Sequence, residues 1–182
     1  MNIALLRAMT VDEYLTWSES QSERQRTELI NGQVVAMAPE RVAHNRIKGS
    51  VYLALRRAVE AAGLPCEVMT DGVTVRVDNH TAYVPDALVY CGNNLPGETM
   101  IVPNPSVVVE VLSPTTAHTD TSAKLMGYFK LPSVAHYLML DPDARTVTHY
   151  TRGGPPSLLT GGPLRLDPPG LDLIVEDLLG PA

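Results

Sequence analysis

The run Ser106-Val-Val-Val-Glu-Val-Leu112 constrains this chain more than any other stretch. Val107, Val108, Val109, Val111 and Leu112 require an apolar interior, so the run is predicted to be a buried strand. Glu110 stands in its middle. Asp86 raises the same problem inside Tyr83-Val-Pro-Asp-Ala-Leu-Val-Tyr90. An unpaired carboxylate taken out of water costs several kcal/mol, so two such residues call for a common compensation.

The elements around these strands follow from local signals. Thr10-Val-Asp-Glu13 fits a capping box that opens a short helix ending near Glu19. Asn31-Gly32 between two apolar runs marks a tight hairpin. Over 41–62, Ile47, Val51, Leu55, Ala58 and Ala62 recur at helical spacing, and Gly63 and Pro65 end the pattern. Three strands are expected over 66–90, the last being 83–90. A Pro- and Gly-rich loop fills 91–105. A helix is expected over 120–130 with Asp120 as N-cap. Two strands then flank the turn Asp141-Pro142-Asp143, and short strands follow with a closing helical turn near Glu176. This order predicts an α/β protein: one mixed sheet with helices packed on it.

The 182 residues suffice for one domain with a proper core and are too few for two. No apolar run approaches the ~20 residues of a membrane-spanning helix, and the apolar N-terminal stretch is too short for a secretory signal. Cys66 and Cys91 form no CxxC pair and read as free thiols in a reducing cytoplasm. The net charge of −6 opposes wholesale binding to nucleic acid. It leaves room for a local patch, because Arg41, Arg46, Lys48, Arg56 and Arg57 fall in one predicted helix. Arg46 and Arg57 lie away from its apolar stripe, either as a solvated face or as contacts to phosphates.

If the strands of Asp86 and Glu110 are neighbours, their carboxylates approach within ~5–8 Å. Like charges that close raise one pKa. A divalent cation resolves the conflict, and Mg²⁺ is held by one or two carboxylates plus water. Lys124 belongs to the same problem. It sits in the first turns of a helix, where a cation is mildly unfavourable, and helical side chains lean back toward the N-terminus and thus toward the preceding strand. The alternative is a structural ion pair, with Lys124 or Arg76 compensating the acids and no metal present.

Pro85-Asp86, Glu110-Val-Leu-Ser-Pro114, and Asp120 with Lys124 and Tyr128 together resemble the Uma-type restriction endonuclease family of the PD-(D/E)xK nuclease superfamily. The resemblance takes in Glu28-Leu-Ile-Asn-Gly32, His44 and His136-Tyr-Leu-Met-Leu-Asp-Pro142, and spans about 9–150, leaving an extension over about 151–182 of a single domain, 1–182. It implies a restriction-endonuclease-like core, a mixed sheet flanked by helices with an N-terminal hairpin. It further implies Mg²⁺ or Mn²⁺, hydrolysis of phosphodiester bonds in DNA, and a homodimer. Asp86 and Glu110 would be metal ligands, with the Val111 carbonyl as a third. The superfamily places a lysine two positions after the glutamate, where this chain has Leu112. The resemblance assigns that lysine's role to Lys124. Glu28 either orients water at the metal or lies on the exposed face of its hairpin. His44 either serves the nucleic-acid site or hydrogen-bonds locally, and Tyr128 is read as packing. The competing function is a non-catalytic nucleic-acid-binding or assembly module that keeps the fold.

Other pairs read as structure. Asp141 and Asp143 are turn residues around a proline. His118-Thr-Asp120 is a loop ending in an N-cap, and His80, His136 and His149 have no partner at ligand spacing.

Overall fold

The computed structural model describes residues 7–22, 25–113 and 121–181. In chain order the elements are α1 (Val11–Ser20), β1 (Thr27–Ile30), β2 (Gln33–Ala36), α2 (Val42–Ala62), β3 (Glu67–Thr70), β4 (Val75–Asp78), β5 (Thr81–Tyr83) and β6 (Ala87–Tyr90). They continue with β7 (Val107–Val111), α3 (Thr121–Tyr128), β8 (His136–Asp141), β9 (Thr146–Thr151), β10 (Ser157–Leu159), β11 (Pro163–Leu166), β12 (Leu171–Ile174) and α4 (Val175–Leu179).

Local chemistry accounts for the ends of these elements. The Thr10 hydroxyl accepts the Glu13 N–H while the Glu13 carboxylate accepts the Thr10 N–H, a reciprocal capping box. Asn31 and Gly32 both have positive φ, as the hairpin turn requires. Gly63 ends α2 in the left-handed conformation. On α2, Ile47, Val51, Leu55 and Ala58 are buried as expected, whereas Ala62 lies past the core and is exposed. The expected N-cap of α3, Asp120, lies outside the described residues, as does His118.

The expected single sheet is instead three among the described residues: β2-β1-β5-β4, β10-β9-β8-β7-β6-β3 and β11-β12. The six-stranded sheet is mixed, with β7 and β8 parallel and its other pairs antiparallel. The segment 83–90, expected as one strand, divides between two sheets. Pro85 has no N–H for a ladder, and the Val84 N–H turns to the Glu28 carboxylate at 2.8 Å. The chain therefore crosses from one sheet to the other at Val84-Pro85-Asp86.

Side chains of β7 alternate between two cores. Val107, Val109 and Val111 pack with Val51 and Leu55 of α2. Val108 packs with Tyr128 of α3 and Tyr83 of β5. Glu110 shares the parity of Val108, so it points toward α3. The C-terminal extension joins the α2 side, with Leu164, Leu166, Leu171, Leu173 and Leu178 in one cluster with Val51.

Cys66 and Cys91 are disulfide-bonded, which overturns the reading of free thiols. The β3–β6 register, Glu67 opposite Tyr90, brings the next pair of residues face to face. The thiol argument for a reducing compartment falls with it. Among the described residues no helix is long and apolar enough to cross a membrane.

His136 and His149 do have a partner, each other. They are buried, with His136 Nδ1 2.9 Å from His149 Nε2. Burial, and then the neighbouring His136, lower His149 from the ordinary 6.5 to about 4. A histidine kept neutral in the fold contributes stability that is whole above its unfolded value and is lost as pH falls through its folded one. The thermal midpoint is therefore expected to drop between pH 6.5 and 4. Replacing His149 with Gln should flatten that slope in a pH series of melting curves; an unchanged slope would remove His149 as its source.

Candidate active site

Glu110 emerges from β7 into a closed set of partners. Its Oε1 accepts the Tyr128 hydroxyl at 2.8 Å and the Lys124 ammonium at 3.1 Å. Lys124 reaches back from α3, as its place in the first turns predicts. It also touches Glu28 Oε1 at 2.9 Å and lies 5.6 Å from the centre of the Tyr83 ring. Glu28 is buried, so the exposed-face reading fails: its carboxylate holds both Lys124 and the Val84 N–H. Tyr128, read as packing, is a fully buried donor to Glu110.

Gly127 lets α3 come this close. A Cβ there would stand 2.6 Å from Cε2 of the buried Tyr83 ring. Gly127→Ala is expected to cost about 1–3 kcal/mol of stability through overpacking, read from urea midpoints. A smaller change would mean that the ring yields freely.

Asp86 sits where the chain enters β6, 5% exposed. Its Oδ2 accepts the Val111 N–H at 2.7 Å, and its Oδ1 is 3.1 Å from Lys48 Nζ. The register Ala87–Val109 puts Asp86 next to Glu110 across the β6–β7 pair. Lys48 also contacts Glu40 Oε1 and Asp71 Oδ2, each at 2.7 Å, and Arg26 pairs with the same two acids. His44 Nε2 stands 3.4 Å from Asp86 Oδ2. Arg76, weighed as a partner of the acids, pairs with Asp12 instead.

The two central carboxylates are driven apart in acidity. Burial raises Glu110 to about 8; Lys124 opposes this, and the charges of Asp86 and Glu28 add to it. Burial also works against the Asp86 charge, but His44, Lys48 and the Val111 N–H outweigh it and hold the carboxyl below its usual value. Burial likewise opposes the Lys48 charge, and Asp86, Asp71 and Glu40 overcome it, so that its pKa is raised. One carboxyl of a close pair is thus neutral near pH 7 and the other ionised, a pattern common at catalytic sites.

Glu28, His44, Asp86, Glu110, Val111 and Lys124 all line one cleft of about 490 Å³. Its lining also includes apolar residues, Ile30 and those of the segment 35–39. Arg46 and Arg57 are exposed on α2 and do not line it. Asp141 accepts the Asp143 and Ala144 N–H groups, as a turn residue should. Glu40, Lys48 and Asp71 were not singled out from the sequence. For Lys48 a signal existed: it precedes Val51 by three and Leu55 by seven, which puts it on the buried stripe of α2.

A mixed α/β core with two acids and a lysine converging in a cleft is the arrangement the restriction-endonuclease-like resemblance leads one to expect. The chain belongs to the Uma2 family, described as "Putative restriction endonuclease", which matches residues 11–176. It is similar to two uncharacterized proteins of Synechocystis sp. One is 27% identical over 157 residues, covering 85% of this chain and 86% of the relative. The other is 30% identical over 143 residues, covering 78% and 73%. The fold matches the crystal structure of a "putative nuclease" from Anabaena variabilis, with a TM-score of 0.76 at 19% identity over 94% of this chain and 97% of that one.

Proposed function

We propose that this chain is a divalent-metal-dependent endonuclease that hydrolyses phosphodiester bonds in DNA. The observation that carries the reading is the meeting of Asp86, Glu110 and Lys124 at one cleft. Its donor set suits Mg²⁺ or Mn²⁺: two adjacent carboxylates, one of them raised in pKa by burial even with Lys124 beside it. Asp86 and Glu110, with the Val111 carbonyl, would hold the ion. Such an ion, when bound, polarises a phosphoryl oxygen and acidifies water.

The chain's own groups do the positioning. Lys48 and the Val111 N–H fix Asp86 from two sides. Tyr128 fixes Glu110, and Glu28 tethers Lys124 beside it. The Lys124 ammonium offers positive charge where negative charge grows as the bond breaks. Exposed Arg46 and Arg57 would contact phosphates outside the cleft, and a homodimer would bring two such clefts to the two strands of a duplex.

Asp86→Asn keeps the shape and removes the charge. Nicking of plasmid DNA in Mg²⁺ or Mn²⁺ is expected to fall by about 100-fold or more, the order that follows loss of a charge-stabilising group. Nicking that survives unaltered would place the activity elsewhere. One observation favours a second reading, a non-catalytic binding module: the ammonium groups of Lys124 and Lys48 already pair with the acids. That reading predicts salt-sensitive DNA binding with no cleavage in either metal.

A further inference from the structure

His44 Nε2 is buried and makes no well-formed hydrogen bond; the Asp86 Oδ2 it faces stands 3.4 Å away. A buried polar atom left in this state is destabilising and calls for a partner. Two carboxylates face the same point, since the ligand atoms of Glu40, His44 and Asp86 all lie within 4.8 Å of one another. Their side chains are 18%, 12% and 7% exposed, so this is no solvated acidic patch. Glu40 precedes α2, His44 stands in its first turn, and Asp86 enters β6, so two backbone segments distant in sequence converge.

The carboxylates are also held from behind. Lys48 Nζ contacts Glu40 Oε1 at 2.7 Å and Asp86 Oδ1 at 3.1 Å, and Arg26 pairs with Glu40. Outer contacts of this kind orient carboxylate ligands and limit their rotation. All three ligand residues line the cleft, which leaves room for water or a phosphate oxygen to complete a coordination shell.

We propose that Glu40, His44 and Asp86 form a second cation position that selects a first-row transition metal over Mg²⁺. Imidazole nitrogen suits Fe²⁺, Ni²⁺ and Zn²⁺, with Co²⁺ between Fe²⁺ and Ni²⁺ in the same series, whereas Mg²⁺ takes oxygen ligands and keeps its water. Asp86 is shared with the position assigned above to Asp86 and Glu110. In that one respect the proposal rests on the nuclease reading; the ligand geometry of Glu40 and His44 does not.

Metal-stripped full-length protein titrated with CoCl₂ tests it, with calorimetry for stoichiometry and visible absorption for nitrogen ligation. Wild type is expected to bind two Co²⁺. His44→Ala and Glu40→Gln should each lose one of them, or bind it at least tenfold more weakly, with MgCl₂ binding unchanged. Glu110→Gln should lose the other ion and keep the His44-dependent absorption; wild type that binds both ions and cuts no DNA would sink the nuclease reading alone. If His44→Ala and Glu40→Gln, both with wild-type circular dichroism, keep the wild-type Co²⁺ stoichiometry, affinity and spectrum, the second position does not exist.

Discussion

Lys48→Met is expected to destabilise the folded protein by about 3–5 kcal/mol, the loss that follows when a buried charge network loses its central partner. Methionine keeps most of the volume, so packing contributes little. The ammonium stands among Glu40, Asp71 and Asp86 at 2.7–3.1 Å. Without it the three acids face one another, with Arg26 left against Glu40 and Asp71 and with His44 and the Val111 N–H left at Asp86. The chain then relieves the repulsion by protonating an acid or opening the start of α2. Urea unfolding at pH 7 measures the effect, and a loss below about 1 kcal/mol would show that the acids find other compensation. Millimolar Mn²⁺ should restore part of the loss, because an ion that binds only the folded state stabilises it by mass action.

Glu110→Gln is expected to separate chemistry from stability. Gln keeps an oxygen that can accept from Tyr128 and Lys124, and Glu110 itself is neutral near pH 7. Stability there should change by no more than about 1 kcal/mol, the worth of one hydrogen bond. Metal-dependent cleavage should fall by about 100–1,000-fold. The pH dependence has a defined sign. A carboxyl raised from 4.5 to about 8 contributes stability that is whole below 4.5 and is lost as pH rises through about 8. The variant should therefore gain on wild type as the pH climbs through that window. Mn²⁺ binding to wild type must displace the proton, so it should tighten with pH up to about 8 and release protons below it. Calorimetry in buffers of different ionisation enthalpy counts those protons. A pH-independent affinity in wild type would mean that Glu110 is no ligand.

Some of this site was visible one residue at a time. Glu110 in a valine run, Asp86 in an apolar strand and Lys124 at the wrong end of a helix each break a local rule, and a broken rule shows without any knowledge of neighbours. The capping box, the Asn31-Gly32 turn and the Gly63 helix end were legible for the same reason: their chemistry is completed within a few residues. Glu40 and Asp71 break no such rule and on sequence alone read as ordinary solvated charges. Lys48 stands on the apolar stripe of its helix, but its partner Asp71 lies 23 residues away.

What the sequence alone determined is most of the elements, their apolar faces and the presence of buried acids that need compensation; it read 83–90 as one strand where the structure has two. The tertiary structure decided what compensates them. It turned Pro85 into a crossing between sheets, set Cys66 against Cys91, placed His136 beside His149 and brought Lys48 and His44 to Asp86. The physical reason is range. Propensity and periodicity act over a few residues along the chain, whereas strand register and helix packing join side chains that are distant in sequence, and a buried charge is stabilised by whatever that packing puts within about 3 Å of it.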